Sequence, residues 1–255
     1  MCGRFTYLFT WAQIHDHLQN FIDLIEVAAG DPATSYPARY NIAPTQPILG
    51  IRPAPRGNAP ALFRWGLTPV WVKDPRDFPL LINARIETAA SKPAFRGSAK
   101  NLRVLIPASG YYEWKTGKDG KKQPFYIAMQ DGSPMMFAGL YATWHGPEGE
   151  EIDTAAIVTQ AATGHLAEIH DRTPAVLRPE QYELWLDAKK VDGKEALAMI
   201  EPLENLGIVD FRVSTRVGSI KNDGPELIKP VGDVQPVPPA PARKKKFGGG
   251  QGELF

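Results

Sequence analysis

The stretch LRVLIPASGYYEW, residues 102–114, decides the fold class. Its first part, Leu102–Ala108, is a continuous run of mostly apolar residues, which predicts a buried strand. Its second part places one carboxylate, Glu113, among aromatic side chains directly after that strand. Comparable runs separated by turn residues predict further strands at Phe125–Met129, Pro134–Leu140, Ala155–Thr159 and the alternating Ile208–Val213.

Three helices are predicted around these strands. Apolar residues repeat at three- and four-residue spacing from Thr10, a suitable N-cap, to Ile25. Later segments, Pro179–Ala188 and Lys194–Leu203, also have helical character, and the first carries proline near its start. The order of one helix, many strands, then helices with a late strand favours an α+β domain. We expect a curved, partly barrel-like mixed sheet flanked by helices rather than repeating βαβ units.

Length and composition predict one sizeable domain followed by a tail. The chain has 255 residues, 43% hydrophobic and 22% charged, with a formal net charge of +1. We place the folded domain at residues 1–231 and a disordered Pro/Lys/Gly-rich tail at 232–255. Neither a secretory signal nor a membrane-spanning stretch is present, which predicts a cytoplasmic location. One cysteine excludes a disulfide framework or a thiolate metal cage, and we expect neither metal nor cofactor.

That cysteine is the second residue, Cys2. Initiator methionine is normally removed before so small a side chain, which would leave an α-amine and a thiol on adjacent carbons. Such a 1,2-aminothiol condenses with an aldehyde to an imine, and the sulfur then closes a thiazolidine ring. With ordinary pKa values of about 8 for the amine and about 8.5 for the thiol, we expect both groups to be partly reactive at neutral pH.

Five polar and aromatic segments carry the remaining chemistry. Arginines interleaved with aromatic rings are typical of single-stranded nucleic-acid binding, since guanidinium groups bind phosphates and flat rings stack on bases. Glu113 and His170 are the natural proton-transfer pair to accompany a nucleophile. The segments are RYNIAPT at 39–45, RWGLTPVW at 64–71, NARIET at 83–88, GYYEW at 110–114 and IHDRTP at 169–174.

Taken in this order, the blocks resemble those of the SRAP family, the SOS-response-associated peptidases, which are also called abasic-site processing proteins. The chain resembles a bacterial member of this family. The resemblance runs from Met1 to about Val231 and includes MCGRF at the start and VGSIKNDGPELIKPV near the end. It implies an SRAP-type domain that shields abasic sites in single-stranded DNA through a covalent crosslink to the N-terminal cysteine. It also implies a DNA-damage response at the nucleoid or replication fork and a weak lyase activity.

The resemblance carries over residue by residue. The implied catalytic residues are Cys2, Asn83, Glu113 and His170. The implied DNA-binding residues are Arg4, Asn41, Pro44, Trp71, Arg85, Thr159 and Arg172. Arginines would bind phosphates, Pro44 would wedge near the lesion, and Trp71 would stack on a base. Some members carry a second tryptophan after this position, whereas this chain has Val72, so a second stacking contact is not predicted here.

Two other functions stay open at this point. Cys2 and His170 could act as nucleophile and base of a thiol peptidase or autopeptidase, oriented by Asn83. Alternatively, the protein could be a non-covalent module for single-stranded DNA in which Cys2 is incidental. A DNA adduct, peptide cleavage, or salt-sensitive binding unaffected by Cys2→Ala would separate the three.

The last five residues, QGELF, resemble the bacterial sliding-clamp binding peptide. Leu254 and Phe255 would fill an apolar pocket while Gln251 bonds at its rim, and the Pro/Gly-rich segment before them would supply reach. An inert tail is the alternative, because short motifs also match by chance.

Overall fold

The computed structural model describes residues 2–28 and 30–232, so the predicted tail, including Gln251, Leu254 and Phe255, lies almost wholly outside the described residues. The strands within these ranges are β1 Phe5–Tyr7, β2 Arg39–Ile42, β3 Pro47–Ala54, β4 Gly57–Trp65, β5 Asn83–Arg85, β6 Arg103–Ala108, β7 Gly110–Thr116, β8 Lys122–Met129, β9 Met135–His145, β10 Glu151–Ala161, β11 Arg172–Pro174, β12 Val176–Leu177 and β13 Ile208–Arg212. The α-helices are short: α1 Trp11–Leu18, α2 Ile86–Ala89, α3 Arg96–Asn101, α4 Tyr182–Leu186 and α5 Gly193–Ala198.

Five of these strands close into a barrel. The order β10–β4–β3–β6–β9 returns to β10, because β10 pairs in parallel with β4 on one side and antiparallel with β9 on the other. The strands β5, β11 and β12 extend this sheet beyond the ring. Strands β6 and β9 are tightly packed at Gly139, where an added Cβ would lie 2.7 Å from the side chains of Ile106 and Val104.

A second, five-stranded sheet in the order β13–β8–β7–β1–β2 packs against the barrel. Phe5 of β1 meets Trp65 of β4 edge-on at 5.2 Å between ring centroids and Phe137 of β9 at 5.8 Å. Tyr111 of β7 meets the same Phe137 at 6.3 Å. These buried rings make one continuous core under both sheets. The prediction of an α+β domain with a curved, partly barrel-like mixed sheet is therefore confirmed.

The first helix is shorter than predicted. Thr10 is its N-cap in a capping box with Gln13, as the sequence indicates, but the helix ends at Leu18. Beyond it the backbone pairs with the barrel instead: Asn58 of β4 donates to the Asp23 carbonyl, and Ile25 donates to the Asn58 carbonyl. Tertiary pairing thus overrides the helical repeat that continues to Ile25.

Three other predictions about local structure were wrong in detail. RYNI of the turn-like RYNIAPT segment forms β2, whereas GYYEW directly follows strand β6, as predicted, and itself lies in β7. The helix predicted at Pro179–Ala188 is a 3-10 turn, Pro179–Gln181, followed by α4, and the one predicted at Lys194–Leu203 is the shorter α5. Among the helices of the described ranges, none has the length and apolar character to cross a membrane.

Candidate functional site

The four predicted catalytic residues come from four different parts of the chain and meet where the five-stranded sheet joins the barrel. Cys2 precedes β1, and Glu113 lies in the neighbouring β7, which pairs with β1 at Phe5. Asn83 begins β5, and its Nδ2 donates to the Cys2 carbonyl at 3.0 Å. His170 lies just before β11, with its Nε2 3.9 Å from Glu113 Oε2. The fold therefore gathers these groups around Cys2.

Cys2 is completely buried, with 0% exposure. Burial raises the pKa of its thiol well above the ordinary value, and the negative charge of Glu113 raises it further. The expectation of a partly ionised thiol at neutral pH was wrong, because it assumed the solvation of a free cysteine. A nearby base must accept the thiol proton before the sulfur can act as a nucleophile.

Glu113 is the group placed to do this. Burial raises the pKa of Glu113 to about 7. A carboxyl with this pKa is half ionised at neutral pH, so it can both accept and return a proton. The sequence pointed to this residue because its carboxylate lies among aromatic residues, and burial in the folded protein is what changes its pKa.

Two groups compete for Nδ1 of His170, the Arg172 N–H and the Asp171 carboxylate, and the first favours one neutral tautomer. The backbone N–H of Arg172 donates to its Nδ1 at 3.0 Å, so the neutral ring carries its hydrogen on Nε2, which faces Glu113. Burial lowers the pKa of His170, which favours this neutral form. When the ring is protonated, Nδ1 can donate instead to Asp171 Oδ1, 2.8 Å away. The arrangement suits a neutral hydrogen-bond donor at Nε2.

Only one of the two polar atoms of the Asn83 amide forms a hydrogen bond with the described residues. Its Nδ2 binds Cys2, whereas its Oδ1 is buried and has no hydrogen-bond partner among the described residues. Buried polar atoms without partners are rare and often mark a place where a ligand or water binds. The Oδ1 atom can accept a hydrogen bond from an amine or hydroxyl that enters the site.

Arg172 is buried and already paired, with 8% exposure. Its guanidinium binds both carboxylate oxygens of Glu87, at 2.6 and 3.0 Å, and donates to the Thr159 carbonyl at 2.5 Å. The pair with Arg172 lowers the pKa of Glu87. Arg172 therefore holds α2 against β10 and β11 in this structure, and a phosphate must displace Glu87 to bind it. Glu87 was not singled out from the sequence, where it is one more polar residue of the NARIET block.

Arg4 and Asn41 also lie together, and both form hydrogen bonds to the segment 217–222. Arg4 donates to Asn41 Oδ1 at 2.9 Å and to the Val217 carbonyl at 2.8 Å. Asn41, 1% exposed, donates through Nδ2 to the carbonyls of Val217, Ser219 and Asn222. Asn41 thus fixes the segment 217–222. Among the described residues Arg4 binds carbonyl oxygens and no carboxylate, so its positive charge is not neutralised.

Arg85 and the turn at Pro44 lie on the surface of this region. Arg85 ends β5, is exposed, and forms no ion pair with the described residues. Pro44 is half-buried and precedes Thr45, whose φ of 74° is unusual for a β-branched residue. The Thr45 N–H donates to the Trp65 carbonyl at 2.8 Å, which holds this strained turn against the end of β4.

Trp71 is 57% exposed on the loop between β4 and β5. Its ring meets Phe78 edge-on at 5.4 Å, whereas the next residue, Val72, is buried and its carbonyl accepts from Trp144 Nε1 at 2.6 Å. Phe78, not residue 72, therefore supplies the second aromatic ring. Sequence adjacency could not indicate this, because the two rings are seven residues apart. In the described ranges no group of three His, Cys, Asp or Glu side chains could hold a metal.

Comparison with known proteins identifies the family. The model of the SOS response associated peptidase (SRAP) family matches residues 1–220. The chain belongs to the SRAP family. The abasic site processing protein YoqW of Bacillus subtilis is 38% identical over 229 residues, covering 90% of this chain and 99% of the relative. YedK of Escherichia coli, with the same description, is 37% identical over 243 residues and is covered completely, this chain to 91%.

Solved structures agree with the fold. A protein from Bacteroides thetaiotaomicron superposes with a TM-score of 0.75 at 23% identity, covering 89% of this chain and 99% of the other. A phage-related protein from Bordetella bronchiseptica gives 0.64 at 30% identity, over 83% and 94% of the two chains. The resemblance to SRAP proteins seen in the sequence is confirmed.

Proposed function

We propose that this protein processes abasic sites in DNA, as its relatives' names describe, and that it does so by forming a thiazolidine at Cys2 in single-stranded DNA. The observation that carries the proposal is the hydrogen bond from Asn83 to the Cys2 carbonyl, which fixes the cysteine beside Glu113 and His170. Once Cys2 is the first residue, its amine and its thiol lie on the same residue that Asn83 holds.

The reaction begins with opening of the sugar hemiacetal. Glu113, in its carboxylate form, accepts the proton of the C1′ hydroxyl, while the Nε2–H of His170 donates toward the departing ring oxygen. This step breaks the bond between C1′ and the ring oxygen and leaves an aldehyde at C1′. A neutral His170 donor and a half-ionised Glu113 acceptor are the protonation states that burial favours.

Condensation then follows at C1′. The Cys2 amine adds to the aldehyde, and the resulting hydroxyl leaves as water with a proton from Glu113, which gives an imine. The thiol adds to the same carbon, and Glu113 accepts its proton, so aldehyde and aminothiol become thiazolidine and water. Ring closure removes the protonated imine that drives β-elimination, so the strand is protected. Where β-elimination occurs before the ring closes, a weak lyase activity results.

The peptidase alternative has less support. A thiol peptidase lowers the pKa of its cysteine by pairing it with a protonated histidine. Here burial and Glu113 raise the pKa of Cys2, and His170 directs its Nε2 toward Glu113. The non-covalent alternative leaves the buried Asn83–Cys2 contact without a role.

Intact-mass measurement before and after incubation with an abasic single-stranded oligonucleotide tests the proposal. We expect a protein lacking Met1 that gains a heat-stable DNA mass, lost in Cys2→Ser and Cys2→Ala. An adduct equally abundant in Cys2→Ser would rule out the thiazolidine. Cleavage of peptides without any adduct would favour the peptidase. Salt-sensitive DNA binding that is unchanged in Cys2→Ala, also without an adduct, would favour the non-covalent binding module.

Binding to the bacterial sliding clamp is proposed separately, through Gln251, Leu254 and Phe255. A chain lacking residues 251–255 should lose clamp binding and keep the DNA adduct. Equal clamp affinity of the shortened and full-length chains would refute this role.

A further inference from the structure

A row of positive side chains lies outside the site described above. Lys92, Arg96 and Lys100 follow one another at four-residue spacing, and the segment 91–102 contains no acidic residue. All three side chains are exposed. The Arg96 N–H donates to the Lys92 carbonyl at 2.9 Å, which places Lys92 one turn before α3, while Arg96 and Lys100 lie one turn apart on α3 itself.

A fourth positive charge faces this row from α5. Gly193 packs so closely on α3 that a Cβ there would lie 2.6 Å from the Ala99 carbonyl oxygen. The next residue, Lys194, is exposed and lines a groove of about 540 Å³ together with Arg96 and Lys100. The one acid lining this groove, Asp192, accepts hydrogen bonds from the backbone of Lys194 and Glu195 as the N-cap of α5.

These positive charges form no ion pair with the described residues, although Lys194 interacts electrostatically with Asp192 at longer range. Within residues 2–28 and 30–232, no carboxylate lies at ion-pair distance from Lys92, Arg96, Lys100 or Lys194, whereas Lys190 nearby pairs with Glu183. A row of like charges at four-residue spacing destabilises a helix, so its presence points to an anionic ligand.

The groove adjoins a second one that reaches the ion pair of Glu87 and Arg172. This second groove, of about 630 Å³, shares Ala90 and Lys194 with the first and is also lined by Glu87. Glu87 is the partner of Arg172, whose backbone N–H orients His170. A chain molecule leaving the site past Glu87 therefore has a continuous path to the basic row.

We propose that the single DNA strand leaving the abasic site lies in this groove, with its phosphates bound by Arg96, Lys100 and Lys194 and, beyond the groove, by Lys92. At about 1.5 Å per residue the row spans about 12 Å, which three to four nucleotides cover at about 3.4 Å each. Such contacts add affinity without sequence preference. The inference rests on the proposed function, since that strand is the substrate's own continuation.

The test compares two abasic oligonucleotides, one with about two nucleotides on either side of the lesion and one with about eight. Equilibrium binding is measured in Cys2→Ala, which cannot form the ring, with and without Lys92→Gln, Arg96→Gln and Lys100→Gln together. With about 0.7 per contact, the triple change should lower the salt slope for the long oligonucleotide by about two. Between about 50 and 200 mM salt, the affinity of the protein with an intact groove should therefore fall roughly tenfold to twentyfold further than the affinity of the triple variant.

Arg56 provides the matched control for Arg96. It is also an exposed arginine, but it lies in the β3–β4 turn, at the opposite end of these strands from Thr45 and Trp65. Arg56→Gln should leave the slope for the long oligonucleotide unchanged, whereas Arg96→Gln should lower it. With Cys2 intact, the triple variant should form the adduct with the short oligonucleotide as wild type does, which verifies folding.

Two failures are distinguishable. If wild type forms the Cys2-dependent adduct but the triple variant keeps the wild-type salt slope on the long oligonucleotide, the groove does not bind DNA. If wild type forms no adduct with either oligonucleotide, the proposed function itself fails.

Discussion

Among single residues, Glu113 is where stability and chemistry oppose each other. Burial raises its pKa from 4.5 to about 7. Below the lower value the carboxyl is protonated in both the folded and the unfolded chain, so it adds no cost. Above the higher value it is ionised in both, and the folded state carries a penalty of about 3 kcal/mol.

We therefore predict that Glu113→Gln stabilises the protein at about pH 8 by up to about 3 kcal/mol and by much less at about pH 4. Denaturant unfolding at both pH values measures the difference. Glu168→Gln, at an exposed glutamate that pairs with the half-buried Lys115, should change stability little at either pH. A destabilised Glu113→Gln at the higher pH would contradict this account.

The same residue sets the pH dependence of crosslinking. Because the carboxylate form of Glu113 starts the reaction, the single-turnover rate should fall about tenfold per pH unit below about pH 6. Glu113→Gln should be slower by at least about a hundredfold and should lose this limb of the profile. A profile with the same acidic limb in the variant would assign that limb to another group.

At the scale of secondary-structure elements, one ion pair connects three of them. Glu87 of α2 binds Arg172 of β11, which also binds the carbonyl of Thr159 in β10. Glu87→Gln would replace the carboxylate that binds the buried Arg172 guanidinium by a neutral amide. Since Glu87 is about half exposed, we expect a loss of about 2 kcal/mol rather than the full cost of a buried pair. Thermal unfolding of Glu87→Gln, Arg172→Gln and the double variant measures the coupling, and additive losses would show that none exists.

The loop between β4 and β5 gives a second prediction at this scale. Trp71 projects into solvent and Phe78 supports its ring. If Trp71 stacks on a base, Trp71→Ala should weaken binding of single-stranded DNA by about 1–3 kcal/mol, and Phe78→Ala by a smaller amount through loss of that support. Leu184→Ala, at a similarly exposed apolar residue of α4, is the control and should have no effect. Equal affinities of all three variants would exclude stacking by this loop.

Over the whole molecule, the sequence predicts what depends on local pattern. The apolar run at 102–108 predicts β6 almost to the residue, and the ordered blocks identify the family. Closure of the barrel could not be predicted. The strand β10 pairs both with its sequence neighbour β9 and with β4, which lies far earlier in the chain. The pairing of Arg172 with Glu87 and the pKa of Cys2 also depend on burial in three dimensions, which residue type alone does not reveal.

Attachment of the last described segment to the rest of the molecule also depends on long-range contacts. Asn41 of β2 binds three carbonyls of residues 217–222, and Val213 pairs with Pro230 across the same segment. At about 1 kcal/mol for each hydrogen bond, Asn41→Ala should cost about 2–3 kcal/mol. Because the lost bonds lie at one edge, hydrogen exchange should accelerate in residues 214–231 while β10 in the barrel stays protected.

Asn58→Ala is the matched control, since the Asn58 side chain donates a single bond to the Asp23 carbonyl near the β3–β4 turn. It should accelerate exchange only around residues 23–25 and should leave 214–231 unchanged. Arg4 also loses a partner in Asn41→Ala, so binding of DNA should weaken in that variant as well. Uniformly faster exchange across the barrel would instead mean that Asn41 supports the whole fold, and the segment 214–231 would then not open as a separate unit.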